Sequence, residues 1–394
     1  MTATMKLVFA GDLCLRQISD RIDFKTSSQI LASVQPILDQ ADCRIVNLEN
    51  PLTVETEKIF KSGPNLKGER KNVAFLEAGR FDCAILANNH LGDYGLKGVT
   101  DTLEVLDQHR IGHTGGGRDL DESYLPWFAE ANGLQAAVIA VAENEYGGAA
   151  YDKPGMAGLR MGKLAETIEK AREKADFVIV VVHGGNEYNP LPSPGVVERY
   201  RLITRLGADA VIGMHPHCPQ GTERYQGKPI VYSTGNFLFF HENNQDARSS
   251  WYYGYLPVLT CQSGQPVGLE IVPYRFDPAC TRIDPFDGAD KAAMLAYLEK
   301  ISGLFQDERQ REDFFRAWCV RHGPQNAGKL VYKAEYLEDP SWRTVWDFLV
   351  VRNLLTCEAH HEVMATLMRV IEEGKVDTYR KMGDELAQLQ QMPV

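Results

Sequence analysis

The sequence predicts a layered α/β core with a helical subdomain behind it, and three observations carry that prediction. Up to about residue 240, short β-branched runs alternate with stretches of helical periodicity, the pattern of strands and helices packed in layers. Two extended runs follow with no helix between them, joined by Gln262-Ser263-Gly264-Gln265, which reads as a hairpin. Beyond about residue 280 only helical stretches remain, so the expected boundary separates residues 1–278 from 279–394.

In order, the predicted strands are Lys6–Ala10, Arg44–Val46, Phe81–Leu86, Ala136–Ala142, Phe177–Val182, Ala210–Ile212 and Pro229–Tyr232, then the hairpin strands Tyr252–Cys261 and Val267–Tyr274. They draw on β-branched and aromatic residues, which suit a pleated, buried surface. Core helices are predicted over Ser27–Gln40, Leu96–Gln108, Lys163–Lys174 and Pro194–Leu206. The subdomain helices are Lys291–Phe305, Glu308–Val320, Ser341–Leu355 and Glu358–Gln391. Phe314, Phe315, Trp318, Trp342, Trp346 and Phe348 recur there; they are expected to pack the helices onto the core, with a substrate groove as the alternative for some.

Composition excludes several classes. With 44% hydrophobic and 24% charged residues, the 394-residue chain is an ordinary folded globular protein. Against 53 acidic residues stand 42 Lys and Arg, a net charge of −11 that would repel a nucleic-acid backbone. No stretch reaches the roughly 18 apolar residues of a membrane span, and Met1 to Leu15 lacks the features of a signal peptide. Eight cysteines without a C-x-x-C pair fit a reducing compartment, so a cytoplasmic location is expected.

The unusual polar residues sit where strands end, the edge at which α/β sheets bind ligands. Asp12 follows the first strand, Glu49 the second and Asn89 with His90 the third. His183 follows a run of five apolar residues, and His215-Pro216-His217 follows Val211-Ile212-Gly213. Asp12, Glu49, Asn89, His183, His215 and His217 together supply the anionic and neutral donors a divalent metal needs, with a carboxylate available to bridge two ions. Each alone is a weak signal, since a histidine at a strand end is more often hydrogen-bonded structure than a ligand.

Longer segments around these positions carry a family resemblance. Asn47-Leu48-Glu49-Asn50-Pro51-Leu52, Leu86-Ala87-Asn88-Asn89-His90 with Asp93-Tyr94-Gly95, His183-Gly184-Gly185-Asn186-Glu187-Tyr188, Gly213-Met214-His215-Pro216-His217 and Tyr232-Ser233-Thr234-Gly235-Asn236-Phe237 resemble the motifs of the capsule-synthesis (CapA) family. That family is associated with poly-γ-glutamate capsules and resembles calcineurin-like metallophosphoesterases; the match runs in order over about residues 5–275. The resemblance implies a calcineurin-like core holding one or two divalent ions. Asp12, Glu49 and His217 would hold one ion, and Glu49, Asn89, His183 and His215 the other, with His90 as acid/base group and Asp93 orienting it. Phosphoesterases usually carry a histidine two residues after the first aspartate, where this chain has Cys14. An oxygen-rich neighbourhood disfavours Cys14 as a ligand in its place. Mn, Zn, Fe, Mg and Ca all suit such donors.

Three chemistries fit. Hydrolysis would use water of lowered pKa and His90 as proton donor to the leaving group. Proton abstraction beside a carbonyl would need acid/base groups on both faces of the carbon, as in lasso-peptide epimerases similar to this family. The third is non-catalytic assembly of poly-γ-glutamate capsule. Epimerisation at Cα of a peptide is the favoured expectation, with His90, Asp93, Asp12, His183 and Glu187 as catalytic candidates and a peptide or poly-glutamate chain as substrate. The basic loop Thr53–Asn72, with Lys58, Lys61, Lys67, Arg70 and Lys71, reads as solvated, or else as a receptor for a substrate carboxylate or phosphate. His241 and Glu242 read as a surface turn or as the rim of the site.

Overall fold

Two mixed sheets and their flanking helices form the core of the computed structural model, which describes residues 3–327 and 340–394. The larger sheet runs Ile283–Pro285, Gly268–Phe276, Tyr253–Gln262, Thr4–Cys14, Cys43–Leu48, Cys83–Ile85 and Gly112–Thr114, with Asn236–Phe239 paired to the end of Thr4–Cys14. The second runs Thr222–Tyr225, Lys228–Val231, Ala210–Met214, Phe177–His183, Leu134–Ala142 and Trp127–Ala131. One continuous hydrophobic cluster takes side chains from both sheets. This is the layered α/β arrangement that the sequence predicts.

The run from Thr4–Cys14 to Gly112–Thr114 in the larger sheet and the four inner strands of the second are parallel, and that fixes where the chemistry collects. All seven residues of Phe177–His183 are buried, as expected of a strand covered on both faces. Asp12 lies in register with Asn47 on one side and Asn236 on the other, while His183 lies beside Ala142 and Met214. Two sheets therefore deliver their carboxyl ends to one edge. Gly11 is required there: a Cβ at this position would stand 1.9 Å from the Gly235 carbonyl oxygen, so only glycine lets the two segments meet.

The sequence reading differs from the fold in several places. Ser27–Gln40 is two helices, Phe24–Leu31 and Gln35–Leu38, because Pro36 fits the first turn of a helix and not its interior. Glu358–Gln391 likewise divides into Glu358–Glu372 and Val376–Leu389 at Gly374, whose φ of 68° stops the first helix. Ser341–Leu355 resolves into a 3-10 turn, Pro340–Thr344, and the helix Trp346–Thr356. The short strands Gly112–Thr114, Trp127–Ala131, Thr222–Tyr225, Asn236–Phe239 and Ile283–Pro285 are too brief for alternation to mark them.

The C-terminal helices form a layer against the second sheet and over the strand ends. Gly288–Gln306 packs on Thr222–Tyr225, and Glu308–His322 touches Pro194–Arg205, Glu358–Glu372 and Val376–Leu389. Phe315 and Trp318 are buried in this packing, whereas Trp346 is half exposed at the mouth of a cleft. The Trp342 side chain lies outside the described residues. No described helix is long and apolar enough to cross a membrane.

Candidate metal centre

Asp12, at the end of the first strand, is fully buried and held from three sides. Asn47 donates its amide to Oδ1 at 2.7 Å, the His215 backbone N–H donates to Oδ2 at 3.1 Å, and His217 Nδ1 stands 3.5 Å from Oδ2. Glu49, one strand over, is also fully buried. Its Oε1 lies 3.6 Å from His183 Nε2 and 3.5 Å from His217 Nε2. His183 Nε2 in turn lies 3.1 Å from His215 Nδ1 and 3.1 Å from Asn89 Oδ1. All six residues proposed as ligands therefore converge at one point of the fold.

The backbone at His215 and His217 is strained to achieve this. Both have positive φ, 99° and 55°, a region that bulky side chains rarely enter. Strain of this kind persists only where surrounding structure enforces it; here Asn236 Oδ1 anchors His217 Nδ1 at 2.8 Å.

Among the described residues neither oxygen of Glu49 has a hydrogen-bond partner, although both are enclosed. Burial, reinforced by the charge of Asp12, pushes the Glu49 carboxyl well above its usual pKa. Burial opposes a charge on His217 as well, yet Glu49 and Asp12 hold that imidazole up to about 10. His183 is driven the other way, well below its usual value, by burial and by His215 and His217. Anions and imidazoles contesting protons in a dry enclosure is what a ligand set looks like without its cation, because a divalent ion satisfies the carboxylates and accepts the neutral imidazoles together. Two donor groups fit this description, Asp12 with Glu49 and His183, and Glu49 with His215 and His217; Glu49 is common to both. Cys14 belongs to no such group among the described residues, and burial pushes its thiol far up.

His90 stands beside the centre in a triad with Asp93 and Lys61. Its Nδ1 lies 2.7 Å from Asp93 Oδ2, while Lys61 Nζ donates to Asp93 Oδ1 at 2.5 Å and lies 3.2 Å from the same imidazole nitrogen. Burial and the Lys61 charge both lower the His90 pKa, leaving a neutral ring. Burial would raise Asp93, but His90 and Lys61 outweigh it and keep the carboxylate charged. The basic loop is thus neither solvated throughout nor free for substrate: Lys61 is buried in this triad, Arg70 pairs with Asp101, and Lys67 donates to the Glu55 carbonyl.

A cleft of about 660 Å³ opens over Asn89, His90 and His217. Trp251, Phe239 and Phe240 form one wall, and Trp346, Val350, Asn353, Leu354 and His360 of the helical layer form another. Glu187 lies exposed on the cleft wall; His241 and Glu242 are at its rim, His241 set edge-on to Trp251.

Sequence reasoning passed over Glu145. Its Oε2 accepts from Asn89 Nδ2 at 2.6 Å and its Oε1 from Asn353 Nδ2 at 3.1 Å, so it ties a proposed ligand to the helical layer. Asn47 and Asn236, noticed as motif residues, orient Asp12 and His217. Their place at strand ends was the available signal; Glu145 had none, because its partners Asn89 and Asn353 lie 56 and 208 positions away.

Fold and donor set define a layered α/β protein with a candidate divalent-metal centre at its strand ends. Residues 6–241 match the family described as "Bacterial capsule synthesis protein PGA_cap", and the chain belongs to that family. Its relatives include the capsule biosynthesis protein CapA of Bacillus anthracis, 28% identical over 60% of this chain and 60% of that protein. The PGA biosynthesis protein CapA of Bacillus subtilis is 30% identical over 59% and 62%. The chain thus spans about three fifths of the length of these relatives. Among solved structures, a novel phosphatase from Mycoplasma pneumoniae is similar at a TM-score of 0.46 and 15% identity, over 71% of this chain and 97% of that one.

Proposed function

We propose that the protein is a metal-dependent hydrolase of a glutamyl-type peptide chain, with Asp12, Glu49, Asn89, His183, His215 and His217 as ligands and His90 as the proton donor. The observation that carries this reading is Glu49: a buried carboxylate, both oxygens unpartnered, shared by two groups of donors. Divalent cations held there would supply Lewis acidity, polarising a substrate oxygen and making a water acidic enough to attack.

The chain's own residues provide the rest. Asp93, fixed by Lys61 and by the Leu66 N–H at 2.7 Å, holds the neutral His90 ring by Nδ1, which leaves Nε2 to take up the proton of the attacking water and then to pass it to the leaving group. The cleft, about 660 Å³, takes its lining from both the strand-end loops and the helical layer, room that suits a short stretch of chain. Relatives named for capsule and PGA biosynthesis support a glutamate polymer as that chain.

Glu187 favours a second reading, Cα inversion. Among the described residues it makes no side-chain hydrogen bond or ion pair, and it shares the cleft with His90, so two acid/base groups are available to one substrate. A single experiment separates the readings: metal-loaded protein is incubated in D2O with a γ-glutamyl oligomer, an α-linked peptide and an aryl phosphate. Metal-dependent shortening of the oligomer without deuterium at Cα is the expected result. Uptake of one deuterium without shortening would replace hydrolysis by inversion, and no turnover of any substrate by metal-loaded protein would leave a binding role in capsule assembly.

A further inference from the structure

Outside the Asp12–Glu49 centre, a different set of donors meets where the core joins the helical layer. Glu145 lies just beyond the strand Leu134–Ala142, and Cys357 and His360 open the helix Glu358–Glu372, three residues apart and hence on one side of its first turn. One carboxylate oxygen, one sulfur and one imidazole nitrogen from these residues lie within 4.8 Å of one another. We propose that Glu145, Cys357 and His360 form a second cation site, suited to zinc, that fastens the helical layer to the strand ends.

Two enclosed atoms point to an occupant. His360 Nδ1 has no hydrogen-bond partner among the described residues, although it lies only 3.7 Å from Glu145 Oε1. Asn353 is 7% exposed; its Nδ2 donates to Glu145 Oε1, and its own Oδ1, also enclosed, has no partner. Both atoms carry lone pairs, and leaving such groups unpaired in a protein interior is costly. A cation is the partner that accepts lone pairs from an imidazole and an amide oxygen while neutralising a carboxylate.

The electrostatics agree with the geometry. Glu145 Oε2 accepts from Asn89 Nδ2 at 2.6 Å, which leaves Oε1 on the side of Asn353 and His360. Burial and the nearby Glu143 and Glu145 keep the Cys357 thiol protonated, an effect that a bound cation reverses, assisted by the thiol's position at a helix N-terminus. A mixed sulfur, nitrogen and oxygen set matches zinc better than magnesium or calcium, which prefer oxygen alone. Glu145 and His360 also line the cleft, so the cation would face the substrate.

Cobalt(II) tests the site separately from the main centre, because only a thiolate ligand produces sulfur-to-cobalt charge-transfer absorption in the near ultraviolet. Metal-stripped full-length protein is titrated with cobalt, together with Glu49→Ala, Cys357→Ser and His360→Ala. The band is expected in the parent and in Glu49→Ala, absent in Cys357→Ser, and reached in His360→Ala only at cobalt concentrations about tenfold higher or more. Survival of the band in Cys357→Ser, its absence from the parent, or unchanged affinity in His360→Ala would overturn the proposal. Should Cys357→Ser fail to fold by circular dichroism, the His360→Ala titration decides alone. Loss of the band in Glu49→Ala would overturn it too, since the sulfur site would then be part of the main centre. Hydrolytic activity enters none of these outcomes.

Discussion

The strand-end edge of the core and the helical layer above it meet at the same cleft but are built on different logic. In the core, each donor is placed by its own strand: Asp12, Glu49 and His183 need only the parallel register beneath them. In the helical layer, nothing is placed locally. Glu358 accepts from Asn144, Glu362 from Ser193 and Gly195, and Glu143 reaches the Ala359 N–H, all across more than 160 positions of sequence. The core makes a site that can exist by itself; the layer makes a site whose parts are held by one another.

That contrast can be broken first at Glu49. Replacement by Gln is expected to remove the divalent metal of the main centre and all turnover, and yet to stabilise the metal-free protein by about 1–3 kcal/mol, because it relieves the burial of a charge without a hydrogen bond and its repulsion by Asp12, which together outweigh the attraction of His217. Metal analysis and chemical denaturation of the stripped proteins read the two effects; a destabilised Gln variant would mean that the carboxylate is satisfied without a cation.

Next in size is the joint. Arg199 donates to Glu143 at 2.7 Å with little exposure of either side chain. Arg199→Leu leaves Glu143 buried without its countercharge, with only the Ala359 N–H and the Cys357 thiol beside it as donors among the described residues, at a cost of about 3 kcal/mol. If the layer is held as a unit, proteolysis of the variant should cut within 340–394 well before the core. Cuts in both at equal rates would make core and layer a single cooperative body.

Smaller effects sharpen the comparison within the cleft. His90→Ala should keep its metal and lose about two orders of magnitude in turnover, the usual contribution of a general acid; a near-native rate would remove it from the chemistry. Asn353→Leu releases Glu145 Oε1 and loosens the grip of Glu145 on Asn89. Metal affinity of the main centre should fall by about tenfold, a typical effect for a group that orients a ligand from behind. Isothermal titration with manganese would measure it, and unchanged affinity would show that the layer does not support the centre.

The same difference explains what was legible in the sequence. Strands with β-branched runs and polar residues at their ends announce themselves, and so the sequence alone picks out Asp12, Glu49, Asn89, His183, His215 and His217, whose side chains the fold brings together. His90 and Asp93, three residues apart, were equally visible and do bond to each other. Lys61 was visible only as one charge in a basic loop, since nothing in its neighbours says that it folds inward onto Asp93. Glu145, Asn353 and His360 were illegible. Their meeting depends on how the terminal helices dock, and helical periodicity gives the buried face of a helix without naming what it covers. Trp346 shows the limit: the residue type suggested core packing, and the fold leaves it 52% exposed at the cleft.

The smallest expected effect concerns how the layer responds to pH. Burial raises the carboxyl pKa of both Glu358 and Glu362, partly offset for Glu358 by the Asn144 N–H and for Glu362 by Ser193, Gly195 and the Arg199 charge, with Glu143 adding repulsion to each. An acid whose pKa is higher in the folded state binds protons more readily there than in the unfolded chain. Its contribution to stability is therefore complete below its unfolded value, 4.5, and is lost as pH rises through the folded value. Glu362→Gln removes one of the two titrations while keeping an oxygen that can accept from Ser193 or Gly195. Urea unfolding followed from pH 4 upward should then show a shallower loss of stability for the variant than for the parent, and the two curves should differ most above 4.5. Parallel curves would mean that the Glu362 hydrogen bonds already compensate its burial, and that the joint rests on Arg199 and Glu143 alone.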